Sequence, residues 1–205
     1  MVAAYHLIWT AYGWWLPNDP RGSSSHEIRS DVIANLGELH QGRKKVQPAS
    51  ADIKRFYVTA RQVLKHELRT FADAEIAVLA ESFAKTIELR RYTCYACAIM
   101  SDHIHMLIRK HRDTAEEMIQ NLQEASKLAL ITAGHYPDEH PVWGGPGWKV
   151  FLDSQDNIKR TVRYIEDNPR KANRPAQCWP FIKLYDGWMP GAGPFGRPFR
   201  KVGSP

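Results

Sequence analysis

A chain of 205 residues with 43% hydrophobic and 24% charged side chains can bury one good core and leave room for an insertion or a tail. It has no apolar run near the ~20 residues of a membrane span. The first residues lack the basic start and long apolar segment of a secretory signal, and three cysteines are too few for a disulfide framework, so a cytoplasmic setting with no membrane partner is expected. The formal charge of +6 and pI near 9.3 lean towards a polyanionic partner.

Residues 4–15 are rich in β-branched and aromatic side chains and predict a first strand. From Leu16 to about Ser50 the chain is polar and punctuated by Pro and Gly, which predicts a loosely structured insertion, with residues 51–68 as a helix. Asp73 is positioned to cap a further helix, whose stripe Ile76, Leu79, Ala80, Phe83 and Ile87 is amphipathic. Residues 92–100 then predict a second strand. Cys94 and Cys97, three apart on it, fall on opposite faces, so they are read as core or surface residues rather than as a metal or redox pair.

Ser101-Asp102-His103-Ile104-His105-Met106-Leu107-Ile108 carries the most chemical information. Ser101 and Asp102 make a tight turn, and residues 103–110 form the third strand. On a strand, residues two apart share a face at roughly 6.6 Å spacing. Both imidazoles can therefore converge on one metal ion while Ile104 and Met106 point into the core. The pattern histidine–hydrophobe–histidine is written HUH. The other histidines, at 6, 26, 40, 66, 111, 135 and 140, have no partner that the sequence identifies.

Thr114 and Glu117 form a capping-box signature for a helix running to about Ala133, on which Lys127 is a candidate phosphate contact. A loop rich in Gly and Pro leads to a fourth strand at 148–152. Asp153 or Ser154 caps a last helix, expected to stop at Asn168 because Pro169 follows. Its buried stripe is Ile158, Val162 and Ile165. Tyr164, Thr161 and Asn168 share a flank off that stripe.

A phenol attacks a phosphodiester well when it is oriented and the phosphate is polarised by a metal. The products are a 5′-phosphotyrosine and a free 3′-OH, so the bond energy is conserved and strands can be exchanged. Asn168 can supply an oxygen ligand beside the two imidazoles.

From Arg170 to Pro205, Arg170, Lys171, Arg174, Lys183, Arg197, Arg200 and Lys201 face Asp186 alone, so this stretch holds the whole net excess of +6. Its cations alternate with Trp179, Phe181, Tyr185, Trp188, Phe195 and Phe199, as in a segment that lies on a nucleic acid or a partner subunit.

The element order β-α-β-β-α-β, then a helix, predicts an α+β ferredoxin-like or RRM-like fold with a four-stranded antiparallel sheet. The expected division is a catalytic domain over 1–170, with a polar insertion at about 16–70, and a basic tail over 171–205.

Three segments together resemble the single-tyrosine HUH transposases, and in particular the REP-associated tyrosine transposases. They are Trp9-Thr-Ala-Tyr-Gly-Trp-Trp-Leu-Pro-Asn-Asp-Pro-Arg-Gly22, Asp102-His-Ile-His-Met-Leu107 and Arg163-Tyr-Ile-Glu-Asp-Asn-Pro169. The resemblance implies His103 and His105 as ligands of Mg²⁺ or Mn²⁺ and Tyr164 as nucleophile. It also implies hairpin-bearing single-stranded DNA as substrate and a homodimer, with a monomer as the alternative; Arg163, Arg170, Lys171 and Arg174 are candidate DNA contacts by their charge. Related insertion-sequence transposases carry Gln where this chain has Asn168, one methylene shorter.

The alternatives are an HUH relaxase or replication initiator and a non-catalytic RRM-like binding module. A histidine-triad nucleotide hydrolase needs a third alternating histidine where Leu107 stands, and no nucleotide cofactor is expected. The cysteine spacing disfavours a structural zinc domain.

Overall fold

The computed structural model describes residues 1–23, 25–42, 44–137 and 139–191. In chain order the elements are β1 (Ala4–Thr10), α1 (Asp31–Ala34), α2 (Ser50–Val63), α3 (Asp73–Arg90), β2 (Cys94–Ile99), β3 (His103–Arg109), α4 (Ala115–Thr132), β4 (Trp148–Leu152) and α5 (Gln155–Lys171). The strands form one antiparallel sheet in the order β2-β3-β1-β4. This is the expected α+β ferredoxin-like arrangement, with β1 and β3 in the centre. Among the described residues no helix is long and apolar enough to cross a membrane.

Strand alternation divides the side chains between two layers. Tyr5, Leu7 and Trp9 of β1 and Ile104, Met106 and Ile108 of β3 face α3 and α4, and with Leu79, Phe83, Met118 and Leu122 they make the main core. The opposite face carries Ala96, Ala98 and Leu107, which pack with Ile158 and Ile165 of α5. The register Ile8↔His105, His6↔Leu107 and Thr10↔His103 places His6, His103 and His105 on this second face.

Local signals set several boundaries as expected. The Thr114 hydroxyl accepts from Glu117 N at 3.2 Å, and the Glu117 carboxylate accepts from Thr114 N at 2.7 Å. Ser154 caps α5. At α3 the cap differs from expectation. Asp73 is already helical, and the Glu75 carboxylate takes the Ala72 N–H at 2.7 Å instead.

Four further differences have identifiable causes. β1 ends at Thr10 rather than near 15, because Ala11 N–H turns to Asp102 O at 2.9 Å and Tyr12 N–H to Val142 O at 2.9 Å. α2 stops at Val63 instead of 68, as Leu64 turns to extended backbone. A bulge between Cys94 and Ala96 shifts the β2 register, so both Cys94 and Cys97 face the main core, not opposite faces. Finally, α5 runs through Pro169 to Lys171. Proline removes one N–H, but the next turn closes in a Schellman motif, with Arg174 N–H to Pro169 O at 2.9 Å and Asn173 N–H to Arg170 O at 3.0 Å. Asn173 takes the left-handed conformation that this needs, at φ 55°.

The stretch 16–50, expected to be loose, holds a buried polar network. Asp19 is fully buried and receives Arg21 in a two-pronged pair, Nε to Oδ1 at 3.0 Å and an NH₂ to Oδ2 at 2.7 Å. The Tyr57 hydroxyl of α2 joins both residues, and the Arg21 guanidinium lies 3.8 Å from the Trp15 ring centroid.

The described part of the basic stretch, 172–191, packs on the domain. Trp179, Phe181 and Ile182 meet the main core, and Tyr185, Trp188 and Met189 the α5 layer. Gln177 lies along the edge of β2, its side chain accepting from Ile99 N at 2.8 Å and donating to Ile99 O at 2.7 Å, and Lys183 N–H reaches Cys94 O at 2.8 Å. Phe195, Arg197, Phe199, Arg200 and Lys201 lie outside the described residues.

Candidate active site

β3 and α5 supply the chemistry at one place. The His103 and His105 rings stand 4.9 Å apart, centroid to centroid, at 88°. Tyr164 meets His105 edge-on at 5.4 Å, and Ile158 and Ile165 anchor the helix that carries it. The predicted pairing of an HUH strand with a tyrosine helix is thus present as a single cluster. Tyr164 remains 38% exposed, so its phenol edge stays open to solvent.

A third imidazole completes the cluster. His6 Nε2 lies 3.0 Å from His105 Nδ1, and the His6 ring is 6.0 Å from that of Tyr164. His6 comes from β1, one strand over and diagonal to His105. Asp102, expected to make the turn, also accepts from His103 Nδ1–H at 2.7 Å. Both HUH rings therefore have Nδ1 engaged, and Nε2 is the nitrogen left to each.

The electrostatics follow from burial. Desolvation lowers His6 to about 4. The same desolvation, reinforced by the neighbouring His103 and His6, holds His105 well below its ordinary value. Both rings are then neutral near pH 7, the state in which an imidazole nitrogen can ligate a metal. Burial pushes the Asp102 carboxyl up, but the His103 hydrogen bond and the charges of His103 and Arg21 outweigh it and leave the group lowered.

Asn168 sits one turn beyond Tyr164. Its amide donates to Tyr164 O at 2.7 Å, which leaves Oδ1 uncommitted, and among the described residues no hydrogen bond joins it to the histidines. Because α5 continues past Pro169, Lys171 reaches back to Tyr164, its Nζ 5.1 Å from the ring centroid. A shallow depression along the outside of α5 is lined by Arg160, Arg163, Tyr164 and Lys171, with Asp156, Asn157 and Asp167.

The remaining predicted DNA contacts are dispersed. Arg170 lies 4.0 Å from Asp167. Arg174 is ion-paired with Asp73 at the start of α3. Lys127 belongs to α4, the layer that covers the other face of the sheet, away from the tyrosine.

α5 packs chiefly on β2 and β3. The β1–β4 half of the same face is more open, with Trp148 43% and Val150 39% exposed opposite Ile8 and His6. Gly147 lets β4 approach. A Cβ there would stand 2.8 Å from Ile8 O, and the residue has φ +79°.

Sequence reasoning overlooked His6 and Trp148. The signal for His6 was its place in a strand of alternating faces. Its partner on β3 could be found only from the β1–β3 register.

The donor set suits a divalent ion. Two imidazoles presenting Nε2 suit a divalent transition-metal ion better than Mg²⁺, and the carboxylate behind His103 is the usual supporting contact. Among the described residues no three His, Cys, Asp or Glu side chains gather as a ready-made cage, so further ligands must come from Asn168, water or substrate oxygens.

A scan against protein-family models gives no match, and neither does a search of the curated proteins. Among solved structures, the chain is similar to a REP-associated tyrosine transposase bound to a REP hairpin. The identity is 12%, the TM-score 0.46, and the match covers 87% of this chain and 74% of that one. It is also similar to a candidate transposase from Deinococcus radiodurans R1, at 13% identity and TM-score 0.38, covering 82% of this chain and 91% of that one. At such values the neighbours assign neither an activity nor a residue role to this chain.

Proposed function

We propose that the protein is a metal-dependent single-stranded DNA endonuclease and transposase with Tyr164 as nucleophile. The observation that carries this reading is the packing of Tyr164 against the His6–His105 pair, beside His103, with its phenol edge left open. A structural tyrosine on a core boundary has no need of two imidazoles and a lysine against its ring.

The chain's own groups divide the work. Tyr164 oxygen attacks the scissile phosphorus as the P–O3′ bond breaks, leaving a 5′-phosphotyrosine and a 3′-OH. No water is consumed, so the 3′-OH of another strand can reverse the step and release Tyr164. Lys171 places positive charge beside the Tyr164 ring, which favours an incoming phosphate. Arg160 and Arg163 line the approach to it. His103 and His105 would hold the ion, Mg²⁺ or Mn²⁺, with Asn168 Oδ1 as an additional donor. When bound, the ion supplies polarisation of the scissile phosphate. The substrate we propose is hairpin-bearing single-stranded DNA, with a homodimer as the working form, both on the strength of the three sequence motifs.

The exposed Trp148 and Val150 favour a second reading, a non-catalytic module that stacks single-stranded bases on the open half of the sheet. One experiment separates the two. The protein is incubated with Mn²⁺ and single-stranded DNA labelled at either end, including hairpin strands from the gene's own flanks, and run on a denaturing gel. A covalent adduct on the DNA 5′ end, absent with EDTA and in Tyr164→Phe, supports the transposase. Binding without adduct on every strand supports the module, and cleavage that survives Tyr164→Phe removes the nucleophile assignment.

A further inference from the structure

We infer that His6 is a positioning residue, which accepts a hydrogen bond from His105 Nδ1–H and thereby holds His105 in the tautomer whose Nε2 lone pair is free. This rests on the reading of His103 and His105 as metal ligands. The His6 Nε2 to His105 Nδ1 separation of 3.0 Å leaves room for one proton between them. If His6 donates that proton, His105 must carry its own on Nε2 and cannot ligate there, while its Nδ1 is already committed to His6. Ligation therefore requires the opposite arrangement, with His105 as donor and His6 as acceptor.

The two HUH histidines then have matched supports of different chemistry. Behind His103 stands a carboxylate, Asp102, which can only accept. Behind His105 stands a neutral imidazole from another strand. This position is buried, with His6 7% and His105 6% exposed, and the Tyr164 ring covers it. Water has little access to replace the acceptor, so removing it leaves a buried N–H without a partner. An isolated neutral imidazole prefers its proton on Nε2, and His105 without His6 would revert to that form. The imidazole couples β1 to the site across the sheet, and ligation would depend on the β1–β3 register.

The test uses the full chain, ¹⁵N-labelled, in EDTA. Long-range ¹H–¹⁵N spectra, assigned with a His105→Gln variant, report which ring nitrogen of His105 is protonated. The expected result is Nδ1–H in the wild type and Nε2–H in His6→Leu. Mn²⁺ affinity, followed by electron paramagnetic resonance, should fall about 10- to 100-fold in His6→Leu. In His6→Gln, whose Oε1 can accept, tautomer and affinity should both be largely restored. A wild-type His105 protonated on Nε2 overturns the inference without any variant having to fold. So does a His6→Leu chain with unchanged tautomer and affinity. Failure of the underlying reading looks different. A wild-type chain that takes up no Mn²⁺, whatever its tautomer, overturns the assignment of His103 and His105 as ligands and the role of His6 with it.

Discussion

The ring of Tyr164 stands edge-on to the His105 imidazole, with centroids 5.4 Å apart and planes crossed at 82°. The contact uses the ring, and among the described residues no hydrogen bond engages the hydroxyl. Tyr164→Phe should therefore leave stability within about 0.5 kcal/mol of wild type, as read by urea denaturation, and should still bind single-stranded DNA. The covalent adduct should vanish. A variant that loses DNA binding as well would show the hydroxyl to be a binding group.

Asp102 determines the proton position on His103. In Asp102→Ala the Nδ1–H loses its acceptor, and Mn²⁺ binding should weaken by about 10- to 100-fold with little change in secondary structure. Calorimetric titration checks this. An unchanged affinity would leave Asp102 with the turn alone.

The buried histidines make stability depend on pH. Burial lowers His6 to about 4 in the folded chain, whereas the unfolded chain titrates near about 6.5. As pH falls, the unfolded state takes up the proton first. The stabilisation is thus fully present above about 6.5 and is lost progressively towards 4. Between pH 7.5 and 5.0 the metal-free protein should lose roughly 2 kcal/mol from His6 alone, and His105 is shifted in the same direction. Urea midpoints measured in EDTA at the two pH values test this, and His6→Gln should flatten the dependence.

Arg21 neutralises a carboxylate that has no access to water. The Asp19 side chain is 0% and that of Arg21 16% exposed. Arg21→Ala strands that charge and should cost about 3–5 kcal/mol, read as a lowered urea midpoint. Arg21→Lys keeps the charge but not the two-pronged geometry and should fall between the two. A loss below about 0.5 kcal/mol would class the pair with exposed surface pairs.

What could be read from the chain alone was whatever is written in short-range periodicity. The HUH strand, the Thr114–Glu117 box and the flank shared by Tyr164 and Asn168 all depend on spacings of two to four residues. The four-stranded order followed from the element sequence. The missed features depend on distant partners. His6 meets His105 across 99 positions, and Asp19 meets Tyr57 across 38. The stretch 16–50 looked loose because its polar residues satisfy one another rather than forming a stripe. The Cys94–Ala96 bulge and the continuation of α5 past Pro169 are local, yet each is decided by how the chain packs afterwards. In the second case that packing brings Lys171 to the tyrosine.

The clasp of Gln177 and Lys183 along β2 has a consequence for biosynthesis. Strands β1 to β4 and the tyrosine helix are all translated before residue 177 leaves the ribosome. Until then the β2 edge offers bare backbone N–H and C=O groups to any neighbouring chain. A nascent copy would thus carry the cluster of histidines and tyrosine on a sheet whose β2 edge is still open to pairing with another chain.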